Sequence, residues 1–381
     1  MRRIAAPPRA DWQNRVEAAG LTWHIGEEHP YWNESAFYEF TGKEVDLLAA
    51  ATNELEEMTR RAAQHVIDNR LYSKMGIPDL AVPLIESSWE AEPPSLYGRF
   101  DLIFGGCHPP KLLEYNADTP TSLLEAAVVQ WYWLQETRPA SDQFNSIHER
   151  LIALWKDLIP HIPGGRADFC SMNDAEDWTT ATYLEDTAQQ AGLATSLFPI
   201  EEIGWDGGRF VGPDDRPLTT VFKLYPWEWM VREEFGKYLA MAETVWLEPP
   251  WKMLLSNKGI LPVLWELYPH HPYLLAASFD PPSAASDWVK KPLLGREGGN
   301  VTLHRAGQDA GQEIATGGDY GQEGFVYQDM APLKSFDGKY PVIGSWVIGH
   351  EEGDSAAGIG IRESDIPITT NLSRFVPHVC G

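Results

Sequence analysis

The stretch KLLEYNADTPTSL, residues 111–123, is the part of the chain from which both the fold and the site can be predicted. It begins as an ordinary β-strand, and Glu114, Asn116 and Asp118 then follow at alternate positions. Side chains two residues apart on a strand point to the same side. The pattern therefore predicts a strand face lined with oxygen atoms.

A second strand precedes this stretch. Residues 99–104 read RFDLIF, and the loop GGCHPP joins the two segments. Glycine and proline are typical of turns, so a β-hairpin is expected. Symmetric pairing about the loop places Asp101 opposite Glu114. The same register places Arg99 opposite Asn116, with all four side chains on one face.

Two carboxylates that face each other in a sheet destabilise it unless a cation lies between them. At about 5 Å and an effective dielectric constant near 20 they repel by about 3 kcal/mol, whereas strand propensity spans only about 1 kcal/mol. Mg²⁺ prefers oxygen ligands and takes one or two carboxylates together with substrate phosphates. One interpretation is therefore a magnesium site formed by Asp101, Glu114 and Asn116. The alternative is that the strands separate and each acid pairs with an arginine or with water.

A glycine-rich loop is the second candidate feature. Residues 289–301 read VKKPLLGREGGNV, which places lysines on a strand before Gly295, Gly298 and Gly299. Glycine lets backbone N–H groups approach a phosphate without a Cβ atom in the way. The loop is not a Walker A motif, because no Gly-Lys-Ser/Thr follows, and β-branched residues after it argue against a dinucleotide-binding turn. The alternative is a flexible β-hairpin whose charged residues face solvent.

Hydrophobic periodicity predicts the other elements. Residues 43–70 have apolar positions at helical spacing, and a long helix is expected over residues 122–134. Residues 166–225 alternate as strand, helix, strand and strand, with a hairpin-like excursion before the last strand, which predicts an α/β unit. Strand-like segments after residue 324 are expected to complete an antiparallel sheet.

Composition limits the class of protein. The chain has 381 residues, of which 43% are hydrophobic, so two or three packed units are expected. Its formal charge of −25 argues against nucleic-acid binding. A solvated acidic surface is the simpler interpretation of this charge, and a cationic substrate such as a polyamine is the alternative. No run of 18 apolar residues predicts a membrane span, and the N-terminal residues do not resemble a secretory signal. Three scattered cysteines predict no disulfide framework, so a reducing cytoplasm is the expected location.

Six segments, taken in order, resemble the synthetase portion of the glutathionylspermidine synthase family. They are GRFDLIF, LLEYNADTPTSLLE, NDAEDW, EPPWKMLLSNKGILPVLWELYPHH, VKKPLLGREGGNV and GIGIRES, and the similarity runs from about residue 30 to the end. The segment TPTSLLEAAVVQW is more similar to relatives that contain only the ligase, the acid–amine ligases. The bifunctional relatives carry an additional N-terminal Cys-dependent amidase domain, which is not expected in this chain.

The resemblance implies an ATP-grasp fold with a permuted order of elements, as in eukaryotic glutathione synthetase. This is an α+β or α/β fold in which antiparallel sheets flank the ATP site and a small α/β unit lies on the substrate side. ATP would bind between two sheets with two Mg²⁺ ions, under a flexible glycine-rich lid. The implied units are residues 1–165 with the metal-ligand hairpin, residues 166–245 as the substrate-side unit, and residues 246–381 with the lid and the remaining core.

The resemblance also implies roles for individual residues. Asp101, Glu114 and Asn116 are the implied metal ligands, in agreement with the hairpin. Arg99 and Arg362 are the implied catalytic residues, the first stabilising the transferring phosphoryl group and the second contacting phosphate or the acyl phosphate. The implied ATP-binding residues are Lys258, Lys291, Gly295, Arg296, Gly298, Gly299 and Gln328, and the implied substrate-binding residues are Thr119, Thr121, Glu176 and Asp177.

Departures from the family pattern fall at substrate positions. Asp177 stands where the family has glutamate, Leu224 stands where a threonine contacts glutathione, and Pro120 interrupts the hydroxyl-bearing segment. The expected function is ATP-dependent formation of an amide, through an acyl phosphate, from a small carboxylic acid and an amine such as a polyamine, amino acid or peptide. The alternatives are a nucleotide-binding protein without turnover that acts through partners, and a metal-dependent phosphohydrolase. The phosphohydrolase would need a water-activating base near the metals, and none stands out in the sequence.

Overall fold

The computed structural model of the protein describes residues 1–26, 29–106, 108–283, 285–306, 313–350, 353–370 and 373–381. Within these ranges the strands are β1 (Arg2–Ala5), β2 (Ala36–Phe40), β3 (Tyr97–Ile103), β4 (Lys111–Asn116), β5 (Arg166–Ser171), β6 (Ala194–Pro199), β7 (Gly204–Trp205), β8 (Phe210–Val211), β9 (Thr220–Leu224), β10 (Val245–Leu247), β11 (Ala277–Ser278), β12 (Trp288–Pro292), β13 (Thr302–His304), β14 (Glu313–Ala315), β15 (Phe325–Asp329), β16 (Tyr340–Ile348), β17 (Ala356–Ser364), β18 (Arg374–Phe375) and β19 (His378–Cys380).

The helices of the same ranges are α1 (Trp12–Ala18), α2 (Gly42–Asp68), α3 (Val82–Ala91), α4 (Gln130–Thr137), α5 (Ile147–Leu158), α6 (Ala175–Ala191), α7 (Trp227–Met230), α8 (Met253–Ser256) and α9 (Ile260–Leu267). A π-helical turn, Glu125–Val129, leads directly into α4. The helix predicted over residues 122–134 is therefore present, although it begins with this wider turn and ends later, at Thr137. No helix of the described ranges has both the length and the apolar composition needed to cross a membrane.

Strands β18-β17-β16-β3-β4, in this order, form an antiparallel sheet that we call the carboxylate sheet. Its hairpin has the predicted register: Asp101 lies opposite Glu114, and Arg99 lies opposite Asn116. The pairing shifts by one residue directly after Asp101, where the strand contains a bulge. The hairpin and the two predicted pairs are confirmed, whereas the pairs next to the loop differ by one residue from symmetric pairing.

The opposite face of this hairpin belongs to the protein core. Phe100 stacks on Tyr115 with ring centroids 3.8 Å apart, in a cluster that also contains Leu55 of α2. Helix α2 is the helix predicted over residues 43–70, and a capping box joins Thr41 and Glu44 at its start. Since side chains alternate along a strand, burying Phe100 and Tyr115 directs the polar residues beside them to the other face.

Strands β11-β15-β12-β13-β14 form a second antiparallel sheet, which we call the lysine sheet. The predicted order of strand, glycine-rich loop and strand is confirmed, because β12 pairs with β13 and the glycines lie between them. The late strands do not complete one sheet as expected. Strand β15 pairs with β12, whereas β16 and β17 join the carboxylate sheet, because β3 pairs along one edge of β16.

A parallel sheet of order β10-β9-β5-β6 forms the predicted α/β unit, with α6 packed against β5 and β6. Helix α6 begins at Asp174, whose side chain accepts hydrogen bonds from two backbone N–H groups, and ends at Gly192, whose φ of 107° lies in the left-handed region. The predicted excursion is the short pair β7–β8. A further sheet, β1-β2-β19, brings the two ends of the chain together.

Candidate active site

A cavity of about 440 Å³ lies between the carboxylate sheet and the lysine sheet. Strands β3, β4, β12, β15 and β17, the first turn of α6 and the end of β9 contribute residues to its wall. Every residue for which the resemblance implies a role lies in this wall: Arg99, Asp101, Glu114, Asn116, Thr119, Thr121, Glu176, Asp177, Lys258, Lys291, Gly295, Arg296, Gly298, Gly299, Gln328 and Arg362. The fold thus brings these residues together, and the role of each stays a prediction.

The facing carboxylates are both paired with basic side chains. Arg99 Nε lies 2.7 Å from Asp101 Oδ1, and Arg362 Nη2 lies 2.7 Å from Asp101 Oδ2. Lys258 Nζ lies 2.9 Å from Glu114 Oε2. The acids are therefore neutralised while the strands remain paired. Because side-chain cations suffice here, the repulsion between the carboxylates does not by itself require a metal ion.

The donor atoms of this face nevertheless fit Mg²⁺. Asp101 and Glu114 supply carboxylate oxygens, and Asn116 donates its amide N–H to Glu114 Oε1 over 3.3 Å, which leaves the amide oxygen for another partner. In the part of the chain that the structure describes, no three His, Cys, Asp or Glu side chains are grouped so that they could hold a metal. Any ion would need oxygen atoms of a ligand as well, which is how Mg²⁺ binds together with nucleotide phosphates.

Lys291 reaches the same face from the lysine sheet. Its Nζ donates to the Leu113 carbonyl over 2.9 Å and to Gln328 Oε1 over 2.7 Å. Burial lowers the pKa of Lys291 to about 8, with Glu114 opposing the shift and Lys258 reinforcing it. Burial alone would raise the pKa of Glu114, but Lys258 and Lys291 outweigh it and hold that pKa well below its usual range. The four cations Arg99, Lys258, Lys291 and Arg362 thus surround the two carboxylates of Asp101 and Glu114. The excess of positive charge suits a phosphate.

The glycine-rich loop closes against neighbouring segments. Gly298 has a φ of +67°, and a Cβ atom there would lie 2.3 Å from the carbonyl oxygen of Thr369. Arg296 Nη1 donates to Thr119 Oγ1 over 2.6 Å, and its Nη2 donates to Glu228 Oε1 over 2.8 Å. The alternative of a hairpin with solvent-facing charges is therefore wrong for Arg296, which joins the loop to the wall of the cavity.

Glu176 and Asp177 lie in the first turn of α6, where Asp174 Oδ1 accepts from both of their N–H groups over 3.1 Å. Burial raises the pKa of Asp177 to about 7, and the charges of Asp174 and Glu176 act in the same direction. Burial also raises the pKa of Glu176, against a hydrogen bond with Thr121. Crowded carboxylates of this kind would be stabilised in their charged form by a cationic group.

Asp118 does not belong to the carboxylate face, which corrects the prediction made from the alternating pattern. Strand β4 ends at Asn116, so the alternation stops and the Asp118 side chain turns into the interior, where it is 1% exposed. Its Oδ1 lies 2.7 Å from Lys223 Nζ, and its Oδ2 accepts from the Trp227 N–H over 3.0 Å. Asp118 therefore joins the loop after β4 to strand β9 of the parallel sheet.

Some residues of the wall have no role in the sequence prediction. They include Tyr31, Ser122, Met172, Trp229 and Tyr320, of which Ser122 belongs to the stretch of residues 111–123 and the others come from segments without a motif. Pro120 and Leu224, two of the departures from the family pattern, also line the cavity. The substrate side of the wall thus contains apolar and aromatic groups next to the acids of α6.

The family model described as glutathionylspermidine synthase preATP-grasp matches residues 3–381. A protein of Haemophilus influenzae named "Putative acid--amine ligase" is 44% identical over 398 residues, covering 99% of both chains. The trypanothione synthetase of Crithidia fasciculata is 27% identical, with 82% of this chain and 51% of that protein covered. The bifunctional glutathionylspermidine synthetase/amidase of Escherichia coli is 28% identical, with 83% and 55% covered. This chain therefore spans about half the length of the last two proteins.

Among solved structures, the glutathione synthetase-like effector of Globodera pallida in its apo form matches with a TM-score of 0.61. The identity is 9%, and the match covers 97% of this chain and 96% of that chain. At this identity the likeness concerns the fold alone, a mixed α/β fold with several sheets. The match of the family model over nearly the whole chain agrees with the resemblance of the six segments. The chain belongs to the glutathionylspermidine synthase preATP-grasp family.

Proposed function

We propose that this chain is an ATP-dependent ligase that joins a carboxylic acid to an amine through an acyl phosphate. The proposal rests on two groups of charged residues in the cavity wall. The first group is the facing carboxylates of Asp101 and Glu114 with the four cations around them, and the second group is the acids at the start of α6. The first group suits a nucleoside triphosphate with Mg²⁺, and the second suits a cationic amine or an amino-bearing acid. The similarity to an acid–amine ligase and to a glutathionylspermidine synthetase/amidase supports the joining of an acid to an amine.

For the nucleotide we propose the ATP-grasp arrangement, with a permuted order of elements and ATP between the carboxylate sheet and the lysine sheet. Lys258 and Lys291 would contact phosphates, and Gln328 would lie near the adenine. The N–H groups of the glycine-rich loop would cover the phosphates. The three units expected from the sequence, 1–165, 166–245 and 246–381, belong to this arrangement.

In the first step an oxygen of the acid bonds to the γ-phosphorus of ATP while the bond to the bridging oxygen breaks, releasing ADP. Arg99 and Arg362 would neutralise the charge of the phosphoryl group as it moves. Arg99 is already fixed, because Nη1 donates to the Thr121 carbonyl over 2.6 Å and the guanidinium lies 5.6 Å from the Trp346 ring. A pre-positioned cation requires little reorganisation during transfer. Mg²⁺ bound at Asp101, Glu114 and Asn116 would supply further neutralisation of charge.

In the second step the amine nitrogen bonds to the acyl carbon and phosphate leaves with the electron pair of the broken C–O bond. Holding both reactants in one cavity contributes up to about 7–11 kcal/mol in favourable cases. The glycine-rich loop, which Arg296 fastens to Thr119 over 2.6 Å, would exclude water that otherwise hydrolyses the acyl phosphate.

Glutathione is not the preferred acid in this proposal. Leu224 lies in the wall, is 1% exposed and offers no hydroxyl group. A ligand that relies on a hydrogen bond at this position loses about 1–3 kcal/mol when its polar group is buried without a partner. Asp177 is also one methylene shorter than the glutamate of the family, which withdraws its carboxylate from a substrate positioned for the longer side chain.

The proposal is tested by ADP release from the purified chain with Mg²⁺ and ATP. The acids are glutathione, glutamate and a set of small peptides, and the amines are spermidine, putrescine and lysine. Hydroxylamine is included because it converts an acyl phosphate into a hydroxamate that can be measured directly. We expect ADP release to require an acid, and the hydroxamate to appear in proportion to ADP.

Other outcomes would contradict particular parts of the proposal. ADP release at the full rate without any acid would indicate a phosphohydrolase. ATP binding without ADP release for any pair would indicate a nucleotide-binding protein without turnover. Glutathione and spermidine as the preferred pair would contradict the substrate assignment alone.

A further inference from the structure

A tyrosine of the cavity wall and the buried glutamate that accepts its hydrogen bond have no part in the two steps of the proposed reaction. Tyr31 lines the cavity, and its hydroxyl donates to Glu125 Oε1 over 2.7 Å. Ser122 Oγ lies 3.2 Å from the same hydroxyl. Tyr31 precedes β2, whereas Glu125 belongs to the π-helical turn before α4, 94 residues further along the chain. The pair is therefore assembled by the tertiary fold.

Glu125 is a buried carboxylate, 1% exposed, whose hydrogen-bond partner is an uncharged hydroxyl group. Burial raises the pKa of Glu125 to about 7. The hydrogen bond from Tyr31 and the charge of Arg99 oppose this shift, and the charge of Glu176 reinforces it. A carboxyl group with such a pKa can accept and release a proton near neutral pH.

Tyr31 itself stays protonated. Burial raises the pKa of Tyr31 well above its usual value, and the charges of Glu125 and Glu176 act in the same direction. A tyrosine hydroxyl donates one hydrogen bond and still accepts others. Since its hydrogen is directed at Glu125, the oxygen retains acceptor capacity for a donor inside the cavity.

The second step of the proposed reaction releases protons. An alkylamine near neutral pH is an ammonium ion, and its nitrogen has no lone pair for attack until a proton has left. Asp101 and Glu114 are paired with cations, so they are poor proton acceptors. Glu125 instead accepts a hydrogen bond from the neutral Tyr31 hydroxyl group, and Tyr31 connects it to the cavity.

We propose that Tyr31 and Glu125 form a proton relay for the amine substrate, an inference that rests on the proposed function. Before the nitrogen attacks, one ammonium proton passes to the Tyr31 oxygen while the Tyr31 hydroxyl proton passes to the Glu125 carboxylate, which leaves a neutral amine with a free electron pair. The amine nitrogen then bonds to the acyl carbon, the C–O bond to phosphate breaks, and phosphate leaves with the electron pair of that bond and takes up the second nitrogen proton. Glu125 then returns its proton through Tyr31 to water. Tyr31 touches the substrate, and Glu125 acts through it.

The test compares nucleophiles that do and do not need to lose a proton first. Hydroxylamine is neutral near pH 7, whereas spermidine, putrescine and lysine carry ammonium groups. ADP release is measured for the wild type, Tyr31→Phe and Glu125→Gln with the same acids. Because general base catalysis contributes about 10²–10⁴-fold, we expect both variants to lose about 100-fold or more with the amines and to stay within about 3-fold of the wild type with hydroxylamine.

Tyr72→Phe is the matched control. Tyr72 is also a buried tyrosine that donates to a carboxylate, Glu86 Oε1, over 3.0 Å, and neither residue lines the cavity. Tyr72→Phe should retain the wild-type rate of ADP release with every nucleophile. The hydroxylamine arm also shows for each variant that folding, ATP binding and acid activation are intact, so a loss confined to the amines reports proton transfer.

Equal losses with hydroxylamine and with amines would assign the pair a structural role and overturn the relay. Full activity of either variant with an amine would also overturn it, and so would a wild type that uses hydroxylamine but none of the amines. A wild type that releases no ADP with any acid and nucleophile would instead contradict the proposed function, so the two failures are distinguishable.

Discussion

The ion pair between Asp118 and Lys223 is the contact on which the position of the loop after β4 depends. Both side chains are buried, with 1% and 0% of their surface exposed, and the two charged atoms lie 2.7 Å apart. Asp118→Asn keeps the size of the side chain and an acceptor oxygen. It removes the negative charge, so the Lys223 ammonium group remains buried without its counter-charge.

The expected loss follows from what Lys223 retains. Its Nζ still donates to the Tyr225 carbonyl over 3.0 Å and lies 4.5 Å from the Trp227 ring, but neither group neutralises a cation. Breaking a buried ion pair by removing one partner costs about 3–5 kcal/mol, because the remaining charge stays desolvated. We expect Asp118→Asn to lower the free energy of unfolding by an amount in this range.

Urea denaturation followed by tryptophan fluorescence measures this loss. The matched control is Asp206→Asn in the exposed pair with Arg209, where we expect a much smaller loss because solvent screens both charges. The double variant Asp118→Asn/Lys223→Met should recover most of the stability, because a neutral buried pair needs no counter-charge. A loss no larger than that of Asp206→Asn, or a double variant less stable than Asp118→Asn, would refute the reasoning.

Three further predictions concern the cavity. Glu114→Gln should lower turnover by at least about 100-fold, since it removes a carboxylate needed for Mg²⁺, and it should also lower the urea midpoint, because Lys258 loses its charged partner. Titration of Mg²⁺ against ADP release checks this, with Glu86→Gln outside the cavity as the control, and activity with unchanged Mg²⁺ dependence would contradict the metal assignment. Arg99→Ala should lower kcat more than it weakens ATP binding, because its charge is needed chiefly as phosphoryl transfer develops; equal losses would assign Arg99 to ATP binding. The KM for a cationic amine should fall as pH rises through about 7. Burial, together with Asp174 and Glu176, raises the pKa of Asp177 to about 7, and its carboxyl group attracts a cation only after losing its proton. Asp177→Asn should flatten this pH dependence of the KM, and an unchanged slope in the variant would contradict the role of Asp177.

The hairpin could be predicted down to its register because the information is local. Symmetric pairing about the loop gives the correct partners for Arg99 and Asp101, although the pairs next to the loop differ from it by one residue, and alternation fixes the side on which Asp101 and Glu114 lie. The same alternation failed at Asp118, because nothing in the local sequence shows that the strand ends at Asn116. That end is determined by Lys223 and the Trp227 N–H, which are more than a hundred residues away.

The division of the late strands between two sheets was beyond local inference for a similar reason. Strands β15 and β16 are consecutive in the chain, and each segment indicates a strand without indicating its partner. Their partners are β12 and β3, and only tertiary packing decides that these two belong to different sheets. The pair of Tyr31 and Glu125 could not be predicted either. Glu125 ends the segment LLEYNADTPTSLLE, but Tyr31 lies outside the six segments and the contact joins residues 94 positions apart.

The carboxylate face shows what charge arguments need before they can identify a ligand. Counting charges on the hairpin alone indicated a missing cation, yet Arg362 and Lys258 reach the two acids from positions 261 and 144 residues away. When these partners and Lys291 are included, positive charge exceeds negative charge around the hairpin, because four cations face two carboxylates. In the proposed function, this end of the cavity would therefore attract a polyphosphate more directly than a free metal ion. A bound polyphosphate would compete for Arg362 and Lys258 and release oxygens of Asp101 and Glu114, so that nucleotide and Mg²⁺ would each complete the binding site of the other.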